Sequence, residues 1–274
     1  MNDGMIQPAL FLAHGNPLNA LNNTPFVNDW RSFLPKEKPL AILCVSAHWE
    51  TLGTFVTANV APKTIHDFSG FPPALYNIQY PCPGAPELAA NICERSPEIQ
   101  PTLDWGLDHG SWSLLLHLYP DADIPVLQMS LDRQRSPQQI FELGRSLACL
   151  RDEGVLLMGS GNIVHNIRQW LQNPNGAFDW AESFDRAVST ALMQGDIESL
   201  INYQSLPEAD MAVPSAEHYL PLLFVLGAAR EGDQLNTTDY PPLSIEHCSM
   251  RSLGFCTEST TCDQTGTLFL VQKR

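Results

Sequence analysis

Eight histidines are the unusual chemical resource of this chain of 274 residues. Five of them stand beside small, turn-forming residues. His14 precedes Gly15-Asn16-Pro17, His48 follows Ser46-Ala47, and His109 precedes Gly110. His165 comes after Gly159-Ser160-Gly161-Asn162, and His218 after Pro214-Ser215. Imidazole without thiolate suits Zn, Fe, Cu or Ni. Three such ligands around an ion with a vacant position make a catalytic centre, whereas a closed set makes a structural one. The alternative is that the rings are buried structural histidines, and spacing alone does not decide between the two. Five such polar rings buried without partners would, however, be costly. No H-E-x-x-H run is present, so the zinc-protease pattern is absent. Seven scattered cysteines with no C-x-x-C pair argue against both a disulfide framework and a thiolate zinc site, and Cys256 and Cys262 are expected to be reduced.

Three apolar runs must position these rings. Leu10 to Ala13 leads into His14. Leu40 to Val45 carries no charge, as a strand buried on both faces does, and then turns polar towards His48. Val155 to Met158 leads through Gly-Ser-Gly-Asn to His165. In open α/β sheets ligands bind past the carboxyl ends of strands, so three such runs would bring three imidazoles to one edge of one sheet. The glycines after Met158 fit neither G-x-G-x-x-G nor a P-loop, and a nucleotide loop is set aside.

Helix signals fall between the runs. Thr24-Pro25, Pro86 to Arg95, and Ser136-Pro137 as far as Gly154 each mark a helix, as does Phe178 to Gly195. Ser111 or Ser113 is expected to cap the helix after His109, and His117 within it to be structural. His218 falls in the first turn of a helix running to Ala229, where the helix N-terminus disfavours a protonated ring. Thr54 to Val60, Asp123 to Leu131, Leu243 to Met250 and Thr267 to Val271 read as further strands, with His247 structural. The alternation is that of an α/β fold with a mixed sheet. Ala61 to Pro83, rich in Pro, Gly and aromatics, reads as a long ordered loop. Its Phe68, Phe71, Tyr76 and Tyr80, with His66, either wall a pocket for a flat ligand or staple the loop to the core.

Composition narrows the function classes. The net charge is −15, with 15 Lys and Arg, so neither nucleic acid nor an anionic membrane is an expected partner. No apolar run approaches the roughly 20 residues of a membrane span. The N-terminus has no basic leader, and the expected location is the cytoplasm. A hydrophobic content of 44% supports a full core in one domain, residues 1–274.

Seven stretches carry a resemblance in order along the chain: FLAHGNP, SAHWE, PKTIHDFSGFPPALYNIQYP, WGLDHGSW, YPDADIPVLQMSLD, GSGNIVHN and EHYLPLLFVLGA. Together they resemble the class III extradiol ring-cleaving dioxygenases of the 4,5-DOPA dioxygenase type, related to the protocatechuate 4,5-dioxygenase β subunit. The resemblance implies a three-layer α/β/α catalytic domain with a mixed central sheet. It implies insertion of both atoms of O₂ into a catechol, DOPA-like or caffeate-like, giving a ring-opened semialdehyde. His14, His48 and His218 match metal ligands of the family. His165 matches a histidine credited with acid/base work and sometimes counted as a fourth ligand. His109 matches a catalytic histidine near the substrate oxygens. The broader class uses two His and one Glu, whereas here the third position is His218 with Glu217 beside it. Three neutral imidazoles look more like a zinc site, so the expected cofactor is one divalent metal, Fe(II) for turnover or Zn(II) as found. Asn16, Asp108 and Tyr219 are the candidates to lie near the polar tail of a DOPA-like substrate. Two other classes compete: a zinc-dependent hydrolase on the same histidines, needing no O₂, and a non-enzymatic metal- or peptide-binding relative. Oligomeric state is not readable from the sequence.

Overall fold

Uncharged apolar runs build the middle of a mixed sheet. The structure, a computed structural model, describes residues 6–173, 178–238, 248–257 and the backbone of 267–268. The strands are β1 (Ala9–Ala13), β2 (Ala41–Thr51), β3 (Thr54–Thr57), β4 (Ile99–Thr102), β5 (Val126–Asp132), β6 (Val155–Gly161), β7 (Gln234–Thr237), β8 (Leu253–Cys256) and β9 (Thr267–Leu268). Among the described residues they form one sheet in the order β4-β3-β5-β2-β6-β1-β8-β7-β9. The central strands β5, β2, β6 and β1 are parallel, so their carboxyl ends share one edge. On the β1 side β8, β7 and β9 run antiparallel to their neighbours. On the other side β4 is parallel to β3, which is antiparallel to β5.

Side chains alternate across the sheet and feed two cores. Leu10, Leu12, Ile42, Cys44, Leu156 and Met158 pack with Trp30 of the helix Pro25–Ser32 and with Trp112 and Leu115 of the helix His109–Leu118. Phe11, Leu43, Val45 and Leu157 pack on the opposite face, with Ile140 and Leu143 of the helix Pro137–Leu147 and Leu222 and Val225 of the helix Leu220–Ala228. The result is the expected α/β/α layering with a mixed sheet. Among the described residues no helix is long and apolar enough to cross a membrane.

Glycines set how closely the second layer approaches. A Cβ on Gly144 would lie 1.9 Å from the Phe224 carbonyl oxygen, and one on Gly227 1.9 Å from that of Phe141, so the two helices cross backbone to backbone. The same holds between layer and sheet. A Cβ on Gly159 would lie 2.5 Å from the Pro221 oxygen, and one on Gly161 2.2 Å from the His218 oxygen. The Gly-Ser-Gly run is therefore a packing surface that lets the His218 turn lie against β6, where the Asn162 N–H donates to the His218 carbonyl at 2.9 Å. Away from the site, a buried Arg151 pairs with Asp233 at 2.7 Å and donates to the carbonyls of Gln7, Ala228 and Phe255, joining both ends of the chain to the sheet.

Several expected boundaries move, each for a physical reason. β2 does not end at Val45: it continues to Thr51, so His48 lies inside the strand, past a register slip against β5 between Val45 and Glu50. β6 likewise continues through Gly161. The last helix on the second face starts at Leu220, so His218 sits in the turn before it rather than in its first turn. Asp108, not Ser111 or Ser113, caps the helix His109–Leu118, and the Ser111 N–H is the group it satisfies. The helix opened by Pro137 ends at Leu147 and passes through a 3₁₀ stretch, Ala148–Glu153, before Gly154 turns the chain at φ 81°. β4, β7 and β8 escaped the sequence reading, being four residues each. The expected strand Leu243 to Met250, with His247, falls largely outside the described residues; at its end Cys248 forms an isolated bridge with His165.

Gly161→Ala should destabilise the protein by about 1–3 kcal/mol, because the added methyl meets a backbone oxygen that cannot turn away. The readout is a lowered urea midpoint with an unchanged slope; a wild-type midpoint would contradict the close approach.

Candidate functional site

The carboxyl edge of the parallel strands gathers five imidazoles. His14 follows β1, His48 comes from β2, His109 begins its helix, His218 precedes the helix Leu220–Ala228, and His165 follows β6. The His14 ring centroid lies 4.9 Å from that of His48, 5.4 Å from His218 and 5.6 Å from His109. His48 lies 3.9 Å from His109 and 5.0 Å from His218. His165 stacks on His218 with centroids 3.4 Å apart and planes within 9°. Nitrogens of His14, His48 and His109 lie within 4.8 Å of one another, as do ligand atoms of His165, Glu217 and His218.

The hydrogen bonds around the rings assign their protons. Ser160 Oγ donates to the Gly110 carbonyl at 2.5 Å, so towards His14 Nδ1, 2.9 Å away, it can only accept. His218 Nδ1 lies 3.1 Å from Glu217 Oε1 and His109 Nδ1 lies 2.9 Å from Asp67 Oδ2. Asp67 Oδ2 is also 3.4 Å from His48 Nδ1. Ionised carboxylates only accept, so His14, His109 and His218 carry the proton on Nδ1 and leave Nε2 as a bare lone pair, whereas His48 Nδ1 meets Asp67 as a charge contact without a hydrogen bond that fixes its proton. His14 Nε2 then faces His48 Nε2 at 3.1 Å, a spacing that either a proton on His48 Nε2 or a cation shared by the two nitrogens satisfies. Among the described residues His218 Nε2 is buried with no hydrogen-bond partner. Two nitrogens at about 2.0–2.1 Å from one ion are separated by roughly 3.0–3.4 Å in tetrahedral or octahedral geometry. The donor set, the spacing and the orphaned nitrogen fit a divalent metal, and metal-bound imidazoles commonly give their other N–H to a carboxylate or hydroxyl in this way.

Burial governs the electrostatics. It is the largest cause of a lowered pKa at His14 and His218, followed by the other rings nearby. Burial and the His109 ring take His48 down to about 3, against the pull of Asp67. Burial takes His165 down to about 4, against the pull of Glu217. Burial alone would raise Asp67, but the bonds from His109 outweigh it and hold the carboxyl below its usual range. Every one of these shifts keeps an imidazole neutral and a carboxylate charged.

The supporting shell contains residues the sequence did not disclose. Asp67 is the main one: its Oδ1 takes the His109 backbone N–H at 2.9 Å while its Oδ2 serves two rings. A signal existed, since it is the only acid in the loop Ala61 to Pro83. Ser160 carries no such signal, standing between two glycines, yet its hydroxyl meets His14 Nδ1. Asp108 is buried and takes hydrogen bonds from Ser46 Oγ at 2.7 Å, the Ser111 N–H at 3.2 Å and the Gln128 amide. Burial, then the Asp67 charge, pushes its carboxyl up to about 6. It pins the start of the His109 helix and cannot reach a ligand. Tyr219 is also buried and donates to the Leu200 carbonyl at 3.1 Å. Asn16 caps the 3₁₀ turn Pro17–Ala20. The expectation that Asp108 or Tyr219 meets a substrate tail is corrected on these grounds.

The aromatic loop divides between its two expected roles. Tyr80 donates to the Tyr119 carbonyl at 2.9 Å and the His66 ring meets the Ile78 carbonyl at 3.0 Å, which staples the loop. Phe68 stands edge-on to His109 at 5.4 Å, with Phe71 and Tyr76 against it at 5.3 and 5.2 Å. His117 bonds the Asn19 carbonyl at 2.8 Å, a structural role as expected.

The lowered imidazoles dictate an acid sensitivity. An unfolded imidazole titrates near 6.5, so below that value the unfolded chain binds protons that the folded chain refuses until about 4 and below. Stability is complete above about 6.5 and is lost as pH falls through this window, by up to about 1.4 kcal/mol per ring and pH unit. Urea midpoints of the metal-free protein should fall steeply from pH 6.5 to 4.5. A midpoint that stays level down to pH 5 would contradict the burial of neutral rings.

Comparison with known proteins agrees with this geometry. Residues 8–249 match the family described as the catalytic LigB subunit of aromatic ring-opening dioxygenase. The 4,5-DOPA dioxygenase extradiol of Escherichia coli (strain K12) is 48% identical over 230 residues, 81% of this chain and 84% of that protein. A protein of the same name from Beta vulgaris is 38% identical over 239 residues, 84% of this chain and 89% of that protein. The crystal structure of an uncharacterized Escherichia coli K12 protein superposes with a TM-score of 0.74 at 40% identity, covering 90% of this chain and 99% of that one. The chain belongs to the LigB family of aromatic ring-opening dioxygenases, and its class of activity is extradiol ring cleavage.

Proposed function

We propose that this protein opens a DOPA-like or caffeate-like catechol with O₂ to a semialdehyde, using one divalent metal held by His14, His48 and His218. The observation that carries this reading is the convergence of imidazole Nε2 atoms: those of His14 and His48 are 3.1 Å apart, and that of His218 is buried with no partner among the described residues. A bound divalent ion would supply Lewis acidity towards the catechol oxygens and, as Fe(II), electrons for O₂; zinc has no redox chemistry, so Fe(II) is the metal for turnover.

The chain's own residues do the rest. Coordinating lone pairs lie in the plane of an imidazole, so two parallel rings 3.4 Å apart cannot aim at one ion. With His218 as ligand, His165 is left as the acid/base group rather than a fourth ligand. Burial keeps His165 neutral, so it can take a catechol proton and return it when the O–O bond breaks. His109, its Nδ1 proton held by Asp67, can take a catechol proton on Nε2 and then hydrogen-bond charge that develops on substrate oxygen. Phe68 with its neighbours offers an apolar edge for the ring and helps exclude water. The six described cysteines are free, which supports a reducing, cytoplasmic setting. The single sheet drawing strands from both ends of the chain supports one catalytic domain, residues 1–274.

The test is anaerobic loading with Fe(II), then air and a panel of catechols, followed by oxygen uptake and the appearance of a yellow product. No uptake with any catechol would leave a hydrolase or a binding protein. His165→Ala should keep its metal and slow turnover by on the order of 10² or more. Loss of metal from that variant would make His165 a ligand instead.

A further inference from the structure

Beside His165 and Glu217 a cleft of about 390 Å³ opens, lined also by Arg168, Gln169, Gln172 and Ser215. It adjoins the candidate metal site directly, since Glu217 holds the His218 ring and His165 stacks on it. Arg168 is unlike the other arginines. Among the described residues every other one has a carboxylate or carbonyl partner, whereas Arg168 makes no hydrogen bond and no ion pair. In a chain of net charge −15, an exposed guanidinium without a partner lining a cleft beside the candidate metal site is a conspicuous charge. Its planar fork matches a carboxylate in two parallel hydrogen bonds. The amides of Gln169 and Gln172 add polar groups to the same wall.

Resting on the ring-cleavage reading, we propose that this cleft is the subsite for a carboxylate on the tail of the catechol substrate, with Arg168 as the residue that binds it. Arg168 takes no part in the chemistry. It selects acid-bearing catechols over neutral ones and orients the ring, whose hydroxyls point away from the tail and towards the histidines. Glu217, on the same cleft, disfavours an acid that does not reach the guanidinium.

A matched pair of ligands tests this without turnover. Anaerobic calorimetry of the zinc-loaded protein compares 3-(3,4-dihydroxyphenyl)propionate with 4-ethylcatechol, which lacks only the carboxylate. The wild type should bind the acid at least about tenfold more tightly, Arg168→Gln should remove that preference, and Arg168→Lys should restore part of it. With the iron-loaded enzyme, Arg168→Gln should raise KM for the acid by a similar factor, leave kcat within about twofold, and leave the neutral catechol unaffected. Equal binding of the two ligands by the wild type, no binding of either, or an Arg168→Gln variant that keeps the preference or weakens both ligands alike, would each overturn the subsite. If the iron-loaded protein cleaves no catechol while the Arg168-dependent preference persists, the ring-cleavage reading fails and the carboxylate subsite stands.

Discussion

Imidazole nitrogens facing one another in a buried space are the constraint around which this molecule is arranged. Three rings are fixed by a hydrogen bond on Nδ1, Ser160 for His14, Asp67 for His109 and Glu217 for His218, and Asp67 also faces His48 Nδ1 at 3.4 Å. Burial then prevents the rings from relieving the crowding by taking up protons. Neutral rings whose lone pairs converge are unfavourable alone and favourable around a cation, so the fold stores the preference for metal in its hydrogen bonds. Metal affinity and acid sensitivity follow from the same burial.

The rest of the architecture serves to hold distant segments at that spot. Parallel strands deliver His14, His48 and His165 to one edge, as the general rule for open α/β sheets requires. Two rings arrive from outside the sheet, and each depends on a close approach. Gly161 lets the His218 turn touch β6. Gly110 lets the His109 helix touch β2, where a Cβ would lie 2.5 Å from Ser46 Oγ and 3.0 Å from the His48 ring. Asp108 and Gln128 lock that helix start from beneath, with the Asp108 N–H donating to Gln128 Oε1 at 3.1 Å and Ser111 Oγ donating to it at 2.8 Å. These polar groups are satisfied by one another, which makes them a rigid floor rather than a source of strain.

How much of this was legible follows from what kind of signal each part leaves. Apolar runs ending in histidine announced the parallel core, because burial on both faces demands an unbroken apolar stretch. Short strands did not announce themselves: β4 carries Pro101, and β7 and β8 are four residues each, too brief for a period to show. The five histidines were visible as types beside turns, but spacing left structural and metal readings open, and the resemblance supplied their separate roles. Asp67 was not seen, because a carboxylate in an irregular loop has no period to place it. Asp108 and Tyr219 misled for the opposite reason: their neighbours in sequence are site residues, yet both side chains point into the packed interior. Glycine in Gly-Ser-Gly was read by its absence from nucleotide motifs, whereas its use is steric and needs the facing backbone to be seen.

The most direct measurement of the central claim is anomalous diffraction at the metal edge from crystals of the protein loaded with one equivalent of Zn(II). The account predicts a single ion bonded to Nε2 of His14, His48 and His218, with Nδ1 of each still on its Ser160, Asp67 or Glu217 partner and at least one coordination position open to solvent or ligand. An ion bound elsewhere, coordination through Nδ1, or a cage closed on all sides by protein would contradict it.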